Sequence, residues 1–237
     1  MSGTFVEGAP DSYTSTVKAM NVVNTYKVAT DASAKATIDW INGGAQPRPT
    51  VYLQLLRKVL GSDDEAVPVP ELKPIEITNG EMTASWENLE RTNRSGDDYI
   101  FSIAQVDGFG RTLTPENYDT IVDGLSVINT YIVPTSGEIH AEVVWDGGPA
   151  ETRPTVWLKA QRAKAGTAPE DIPGLEIYQL DDDVTTASWF GLDETDLDGN
   201  PYIFSIIEGR MDGDTFTPSA PESYEKSEDG VIVTNHY

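Results

Sequence analysis

The side chains best suited to chemistry by type and spacing are the acids of the segment DETDLDGN, residues 193–200. Asp193, Asp196 and Asp198 precede a glycine at the short intervals with which carboxylate oxygens gather around Ca²⁺. A calcium loop of this kind, about twelve residues long, also needs a distal glutamate, and Phe204 stands at that position. The segment therefore predicts either an ordinary loop between two strands or a weak calcium site, and no other cofactor is expected.

The catalytic groups of common enzyme classes are missing from the sequence. It contains no cysteine, which excludes thiolate catalysis and disulfides. His140 and His236 have no serine-nucleophile motif near them, and no glycine-rich phosphate loop occurs. We therefore expect a protein that is not an enzyme.

The composition restricts the partners of the chain. Its 237 residues include 16 Lys and Arg against 39 Asp and Glu, which gives a formal net charge of −23. Binding to nucleic acid or to an anionic membrane needs cationic surface, so we expect neither as a partner. No apolar run reaches the roughly 18 residues of a membrane span, so we expect no membrane insertion. The acidity indicates a solvated surface or, alternatively, cation binding.

Three similar five-residue motifs occur in the chain, and their spacing indicates an internal repeat. They read VVNTY at 22–26, VINTY at 127–131 and VTNHY at 233–237. The asparagines of these motifs are 129 − 24 = 105 and 235 − 129 = 106 residues apart. A constant period of this size is the sequence signature of tandem domains.

The same period predicts the domain boundaries. We expect one complete repeat at 27–131 and a second at 132–237. The segment TFVEGAPDSY (4–13) matches TFTPSAPESY (215–224). Residues 1–26 are therefore expected to be the C-terminal tail of a preceding repeat, with the whole sequence cut from a longer array.

Each repeat has the residue pattern of β-strands. Apolar residues alternate with other residues in ATIDW (36–40), VYLQL (51–55) and YIFSI (99–103), and this period of two is typical of strands with one buried face. Clusters of Gly, Asn and Asp between them supply turns. The sequence predicts an all-β protein made of two tandem Ig-like antiparallel β-sandwiches.

The order of several short motifs resembles a known family. A strand ending in Trp and Asn/Asp-Gly-Gly is followed by RPTV, TASW, YIFSI and the closing five-residue motif, in both repeats. This order is similar to that of the Cna protein B-type (CnaB) domain, a prealbumin-like sandwich. The resemblance implies tandem repeats in the surface proteins of Gram-positive bacteria.

The resemblance also implies a candidate crosslink inside each repeat. In many such domains a first-strand lysine attacks the carboxamide of a last-strand asparagine, ammonia leaves, and a glutamate shuttles the protons. We call the places of these three residues the isopeptide positions. They carry Ile38, Gln105 and Asn129 in repeat one, and Val143, Glu208 and Asn235 in repeat two.

No lysine is expected to replace the missing ones. Lys35 lies three positions before Ile38, so on a regular strand it points to the opposite face. Repeat two has only Lys159, Lys164 and Lys226, and Lys159 should face outward. We therefore expect no isopeptide bond in either repeat, with the aliphatic residue packed where the crosslink would have formed.

Glu208 has two interpretations from the sequence alone. It is either a carboxylate near a strand end with access to solvent, or a buried acid with a raised pKa that remains from the crosslinking chemistry. The first would leave its pKa ordinary, and the second would raise it because burial disfavours the charged form.

The predicted function is structural. We expect stalk or spacer repeats of a surface-anchored bacterial adhesin or pilus-like protein, extracellular and attached to the cell wall through other parts of the parent protein. The expected partners are neighbouring repeats of the same chain. The alternative is an adhesive module that binds a glycan or host matrix protein through Tyr52 and Trp157, on the outward faces of their strands.

Overall fold

The computed structural model describes residues 8–181 and 184–237. Residues 8–41 and 47–131 form one compact unit, and residues 42–46 with the described part of 132–237 form a second. Within the described residues the only helix is a 3₁₀ turn, Ala150–Thr152, and no helix there is long and apolar enough to cross a membrane. The predicted all-β fold class is confirmed.

The first unit contains an N-terminal hairpin and a sandwich. Its strands are β1 (Tyr13–Lys18), β2 (Asn21–Tyr26), β3 (Ala32–Ile41), β4 (Val51–Val59), β5 (Val67–Pro68), β6 (Ile75–Ile77), β7 (Thr83–Leu89), β8 (Tyr99–Val106), β9 (Tyr118–Asp123) and β10 (Ser126–Tyr131).

The second unit repeats the sandwich. Its strands are β11 (Gly137–Asp146), β12 (Val156–Lys164), β13 (Glu170–Asp171), β14 (Tyr178–Leu180), β15 (Thr186–Leu192), β16 (Tyr202–Asp212), β17 (Thr215–Pro218), β18 (Glu225–Asp229) and β19 (Ile232–His236).

One sheet of each sandwich contains both the first and the last strand of the repeat. The strand order is β7-β3-β10-β9 in repeat one and β15-β11-β19-β18 in repeat two. The last strand pairs with the first in parallel, and all other strand pairs among the described residues are antiparallel. The antiparallel prediction therefore needs one correction in each repeat, which arises because the closing strand returns beside the first strand instead of joining an edge.

The second sheet of each sandwich supplies the facing layer. In repeat one, β4 pairs with β5, β6 and β8. In repeat two, β12 pairs with β13, β14 and β16, and β17 pairs with β16. The longest partner of the RPTV strand is therefore the YIFSI strand, β8 or β16.

Alternation along the strands forms the core between the two sheets. On β3, Ala34, Ala36 and Ile38 are buried while the residues between them are exposed. Val51, Leu53 and Leu55 of β4 meet them from the facing sheet, and Trp86 of β7 joins the same cluster. Repeat two has an equivalent cluster. Burial of each large aliphatic side chain contributes about 1.5–3 kcal/mol, so the core is the main source of stability.

Candidate functional site

The fold brings the three isopeptide positions of each repeat together in its interior. In repeat one, β3 supplies Ile38 and its parallel neighbour β10 supplies Asn129, with Val127 in register with Ile38 and Asn129 with Trp40. Gln105 approaches from β8 in the facing sheet. Ile38 and Asn129 are fully buried and Gln105 is 2% exposed, so polar atoms at this place need partners within the protein.

In repeat one the two amides satisfy each other. Asn129 Nδ2 donates to Gln105 Oε1 at 2.9 Å, and Gln105 Nε2 donates to Asn129 Oδ1 at 3.1 Å. Thr120 Oγ1 on β9 also donates to Asn129 Oδ1, at 2.6 Å, and Gln105 Nε2 reaches the Leu113 carbonyl at 3.0 Å. This buried network has no titratable member, so its hydrogen bonds do not depend on pH.

In repeat two the same position holds an acid and an amide. Asn235 Nδ2 donates to Glu208 Oε2 at 2.9 Å. Glu208 and Asn235 are both fully buried. The other two oxygens, Glu208 Oε1 and Asn235 Oδ1, have no hydrogen-bond partner.

A single proton on Glu208 would supply a donor at this place, where two oxygens are unpaired. Burial raises the pKa of the Glu208 carboxyl to about 7, although the hydrogen bond from Asn235 and the charge of Lys226 act in the opposite direction. A protonated carboxyl has a hydroxyl to donate, and Asn235 Oδ1 is the acceptor that lacks a donor. The protonated acid and the amide would then form a reciprocal pair like that of repeat one. The solvent-exposed interpretation of Glu208 is wrong, because nothing of the side chain reaches solvent.

Lys226 lies next to this acid, and sequence analysis did not anticipate its place. It is in register with Asn235 across β18 and β19, as Thr120 is with Asn129. Its amine donates to the Glu208 carbonyl oxygen at 2.6 Å and forms an ion pair with Glu228 at 2.7 Å. An ammonium held by a carboxylate has no lone pair for attack on an amide. The repeat period could have indicated this contact, since it aligns position 226 with position 120.

The lysine positions themselves hold only aliphatic side chains. Ile38 is fully buried and Val143 is 2% exposed, each within the core cluster of its repeat. Lys35 is exposed, on the opposite face of β3, and Lys159 pairs with Asp171 on the facing sheet. An unpaired amine at position 38 or 143 would be costly to bury, whereas Ile and Val need no partner.

In each sandwich, one arginine and three aromatic side chains from the repeated sequence motifs form a cluster. In repeat one, Arg48 lies over the Trp40 ring at 5.5 Å, Trp40 contacts Tyr118 edge-on at 4.9 Å, and Tyr118 contacts Tyr131 at 5.5 Å. Repeat two has the same cluster with distances of 5.6, 4.9 and 5.3 Å, formed by Arg153, Trp145, Tyr224 and Tyr237. Such contacts each add about 0.5–1.5 kcal/mol beyond burial.

Comparison with known proteins gives one curated relative. No family model matches the chain. A collagen adhesin of Staphylococcus aureus is 27% identical over 138 residues, which are 58% of this chain and 10% of that protein. This similarity supports the resemblance of both repeats to CnaB domains.

Two solved structures illustrate the range of similar folds. The two B repeat units of the collagen-binding protein of Staphylococcus aureus match 97% of this chain and 55% of theirs, with 18% identity and a TM-score of 0.46. A major pilin protein of Streptococcus pyogenes matches 88% of this chain and 98% of its own, with 11% identity and a TM-score of 0.30.

The acidic loop of repeat two uses its carboxylates within the protein. Asp196 accepts hydrogen bonds from the side chain and backbone of Asn200 and from Lys164 at 3.0 Å. Its pKa is lowered to about 2, because these donors outweigh the opposing effect of burial. Asp193 lies 3.6 Å from Arg162. Residues 8–181 and 184–237 contain no group of three or more potential metal ligands, and the neighbouring Asp182 and Asp183 lie outside the described residues.

Tyr52 and Trp157 occupy matching places on the RPTV strands of the two repeats. Tyr52 is in register with Val106, and Trp157 with Gly209. Both side chains are half-buried rather than exposed, and the Tyr52 ring packs over Gly108, where an added Cβ would lie 3.5 Å away. Each therefore offers only part of its ring to a ligand.

Proposed function

We propose that this chain is a stalk or spacer segment of a bacterial surface adhesin or pilus-like protein, without intramolecular isopeptide bonds. The observation that carries the proposal is the closure of both sandwiches by buried hydrogen bonds, with Ile38 and Val143 at the lysine positions. The similarity to a collagen adhesin supports a place at the cell surface, anchored to the cell wall by parts of the parent protein outside this sequence.

The topology supports a load-bearing role. The first and last strands of each repeat are parallel neighbours, so tension applied at the two ends of a repeat pulls them past each other along their length. Five register pairs between β3 and β10, and five between β11 and β19, then share the load. The array interpretation, with residues 1–26 as the tail of a preceding repeat, remains part of the proposal.

Force spectroscopy on a single molecule tests this function. Because no covalent bond joins the first strand to the last, we expect both repeats to unfold and each to release the contour length of its strands. An absence of extension from either repeat, below the force that breaks covalent attachment, would overturn the proposal of uncrosslinked spacers.

Ligand binding is a second candidate, favoured by the half-buried aromatic that both repeats carry at one strand position. The name of the curated relative makes collagen the first ligand to try. Surface plasmon resonance should compare the chain with Trp157→Ala and Tyr52→Ala, using a host glycan array in parallel. Binding that is lost in these variants, while their melting temperatures hold, would support an adhesive module.

A further inference from the structure

The N-terminal hairpin has the register of the hairpins that close the two repeats. β1 and β2 pair Tyr13 with Tyr26 and Ser15 with Asn24, and β9 and β10 pair the matching residues in the same way. The Ser15 hydroxyl donates to Asn24 Oδ1, as Thr120 donates to Asn129 Oδ1. The hairpin is therefore already folded in the form that closes a sandwich.

The face of this hairpin that matches a core face is open to solvent. Val22 is 61% exposed, whereas its counterparts Val127 and Val233 are fully buried. Asn24 is likewise exposed, although the asparagine is fully buried in both repeats. An isolated two-stranded hairpin is at best marginally stable in water, so this face is suited to being covered.

The hairpin also has an open edge at a defined place. Among the described residues β2 pairs with β1 alone, whereas β10 and β19 each pair with a second strand, in parallel, on the other side. That second strand is the first strand of the repeat. The unpaired N–H and C=O groups of β2 form a template for one more strand.

The aromatic residues indicate the chemistry of the missing partner. Tyr13 and Tyr26 form an edge-on pair with ring centroids 5.7 Å apart, which is the tyrosine half of the cluster that closes each repeat. In the repeats the other half is a Trp at the end of the first strand and the Arg of RPTV. A partner that supplies Trp and Arg at this spacing would complete the cluster.

We propose that the hairpin Tyr13–Tyr26 is a docking surface for the body of a CnaB-like repeat that has no closing hairpin of its own. The first strand of that body would add to β2 in parallel, with its Trp in register with Asn24. The side chain at its glutamine or glutamate position would bond to the Asn24 amide.

This partner fits better than a second copy of the chain. Both repeats of a second copy already hold a closing hairpin, β9–β10 or β18–β19, so neither has a vacant place. The docking surface rests on the array part of the proposed function and names its partner. The spacer part is independent of it, since two repeats could act as a spacer even if the hairpin bound nothing.

An extended chain tests the proposal. Residues 27–117 are placed directly before residues 13–237, so that the added segment supplies a repeat-one body and Tyr13–Tyr26 takes the place of the equally long segment 118–131. The measurement is hydrogen exchange of the β2 amides by mass spectrometry, compared with the unextended chain. Docking should slow this exchange by roughly a thousandfold, toward the protection of a core strand.

Matched variants make the result specific. Val22→Asp should leave the unextended chain unchanged, because Val22 is exposed there, and should abolish the protection in the extended chain. Val23→Asp, on the opposite face, should retain protection. A positive control carries residues 118–131 at the junction instead of 13–26. If that control is protected and β2 still exchanges as fast as in the unextended chain, the proposal is overturned.

Discussion

Repeat one and repeat two have equivalent sandwiches, but the buried hydrogen-bonded pair between the two sheets differs. Gln105 and Asn129 exchange two hydrogen bonds, whereas Glu208 and Asn235 exchange one and leave two oxygens unpaired. The backbone register around both pairs is the same. A change from amide nitrogen to carboxyl oxygen therefore replaces a pair that is independent of pH with one whose charge depends on pH.

The strand next to the asparagine strand, β9 or β18, also carries a neutral side chain in repeat one and a charged one in repeat two. Thr120 completes the network of repeat one with a hydroxyl, while Lys226 brings a charge that pairs with Glu228 at the edge of the acid's pocket. Repeat two thus keeps an acid and an amide in contact, and what it lacks for the crosslinking chemistry of similar domains is an amine at position 143. Repeat one lacks both the amine and the acid.

The largest expected effect comes from restoring the lysine. In Val143→Lys the new amine would lie beside Asn235 and Glu208, so we expect Nζ to bond to Asn235 Cγ as the Cγ–Nδ2 bond breaks and ammonia leaves. In Ile38→Lys no acid is present, and an unpaired buried amine should cost about 3–5 kcal/mol. Intact mass and denaturant unfolding distinguish the two results.

We therefore expect loss of ammonia in Val143→Lys and none in Ile38→Lys. Loss of ammonia in Ile38→Lys alone would show that the acid is dispensable. Loss in neither variant, with both destabilised, would show that the positions do not match those of crosslinked domains. The double variant Ile38→Lys with Gln105→Glu should recover the reaction in repeat one.

The second effect is the pH dependence of repeat two. The folded-state pKa of Glu208, about 7, lies above its ordinary value of 4.5, so the folded state binds the proton more tightly than the unfolded state. The stabilisation is complete below pH 4.5 and is lost as pH rises through 7, a total of about 3 kcal/mol. Denaturant titrations of the chain between pH 5 and 8 should show this loss.

Exchanging glutamate and glutamine at positions 208 and 105 provides the controls. Glu208→Gln should remove this pH dependence, since it reproduces the amide pair of repeat one. Gln105→Glu should introduce the same dependence into the unfolding of repeat one. A slope that persists in Glu208→Gln would assign the pH response to other groups.

A smaller effect is expected at the third member of the repeat-one network. Thr120→Val removes the 2.6 Å hydrogen bond to Asn129 Oδ1 but leaves the Gln105 bond, so unfolding of repeat one should become easier by about 1 kcal/mol. Thermal or denaturant unfolding measures this. Thr83→Val, at an exposed position of β7, serves as a comparison, and equal effects of the two would contradict the assigned role.

The smallest effect is expected from calcium. The Asp196 carboxylate already accepts hydrogen bonds from Asn200 and Lys164, and Asp193 lies near Arg162. Addition of CaCl₂ should therefore leave the melting temperature unchanged relative to an equal ionic strength of NaCl. A calcium-specific rise that disappears in Asp198→Asn would revive the metal-site interpretation.

The fold could be predicted largely from the sequence because its information is local and repeated. Strand alternation and the period marked by Asn24, Asn129 and Asn235 were sufficient for two β-sandwiches. The parallel pairing of first and last strands could not be predicted, because period-two alternation identifies a buried face and carries no direction.

The candidate site could be predicted only in part. The resemblance aligned Ile38 and Val143 with the lysine positions, but the state of Glu208 was left open because burial depends on the facing sheet. The contact of Lys226 with the Glu208 carbonyl joins residues of two different strands. The arginine–tryptophan–tyrosine cluster likewise joins motifs that are far apart in sequence. Both depend on tertiary packing.

We expect no covalent bond between the first and last strands of either repeat, and the intact mass of the denatured chain measures this. The measured mass should equal that of the sequence, with no ammonia lost. A deficit of one ammonia, together with a proteolytic peptide that joins Lys226 to Asn235, would contradict it.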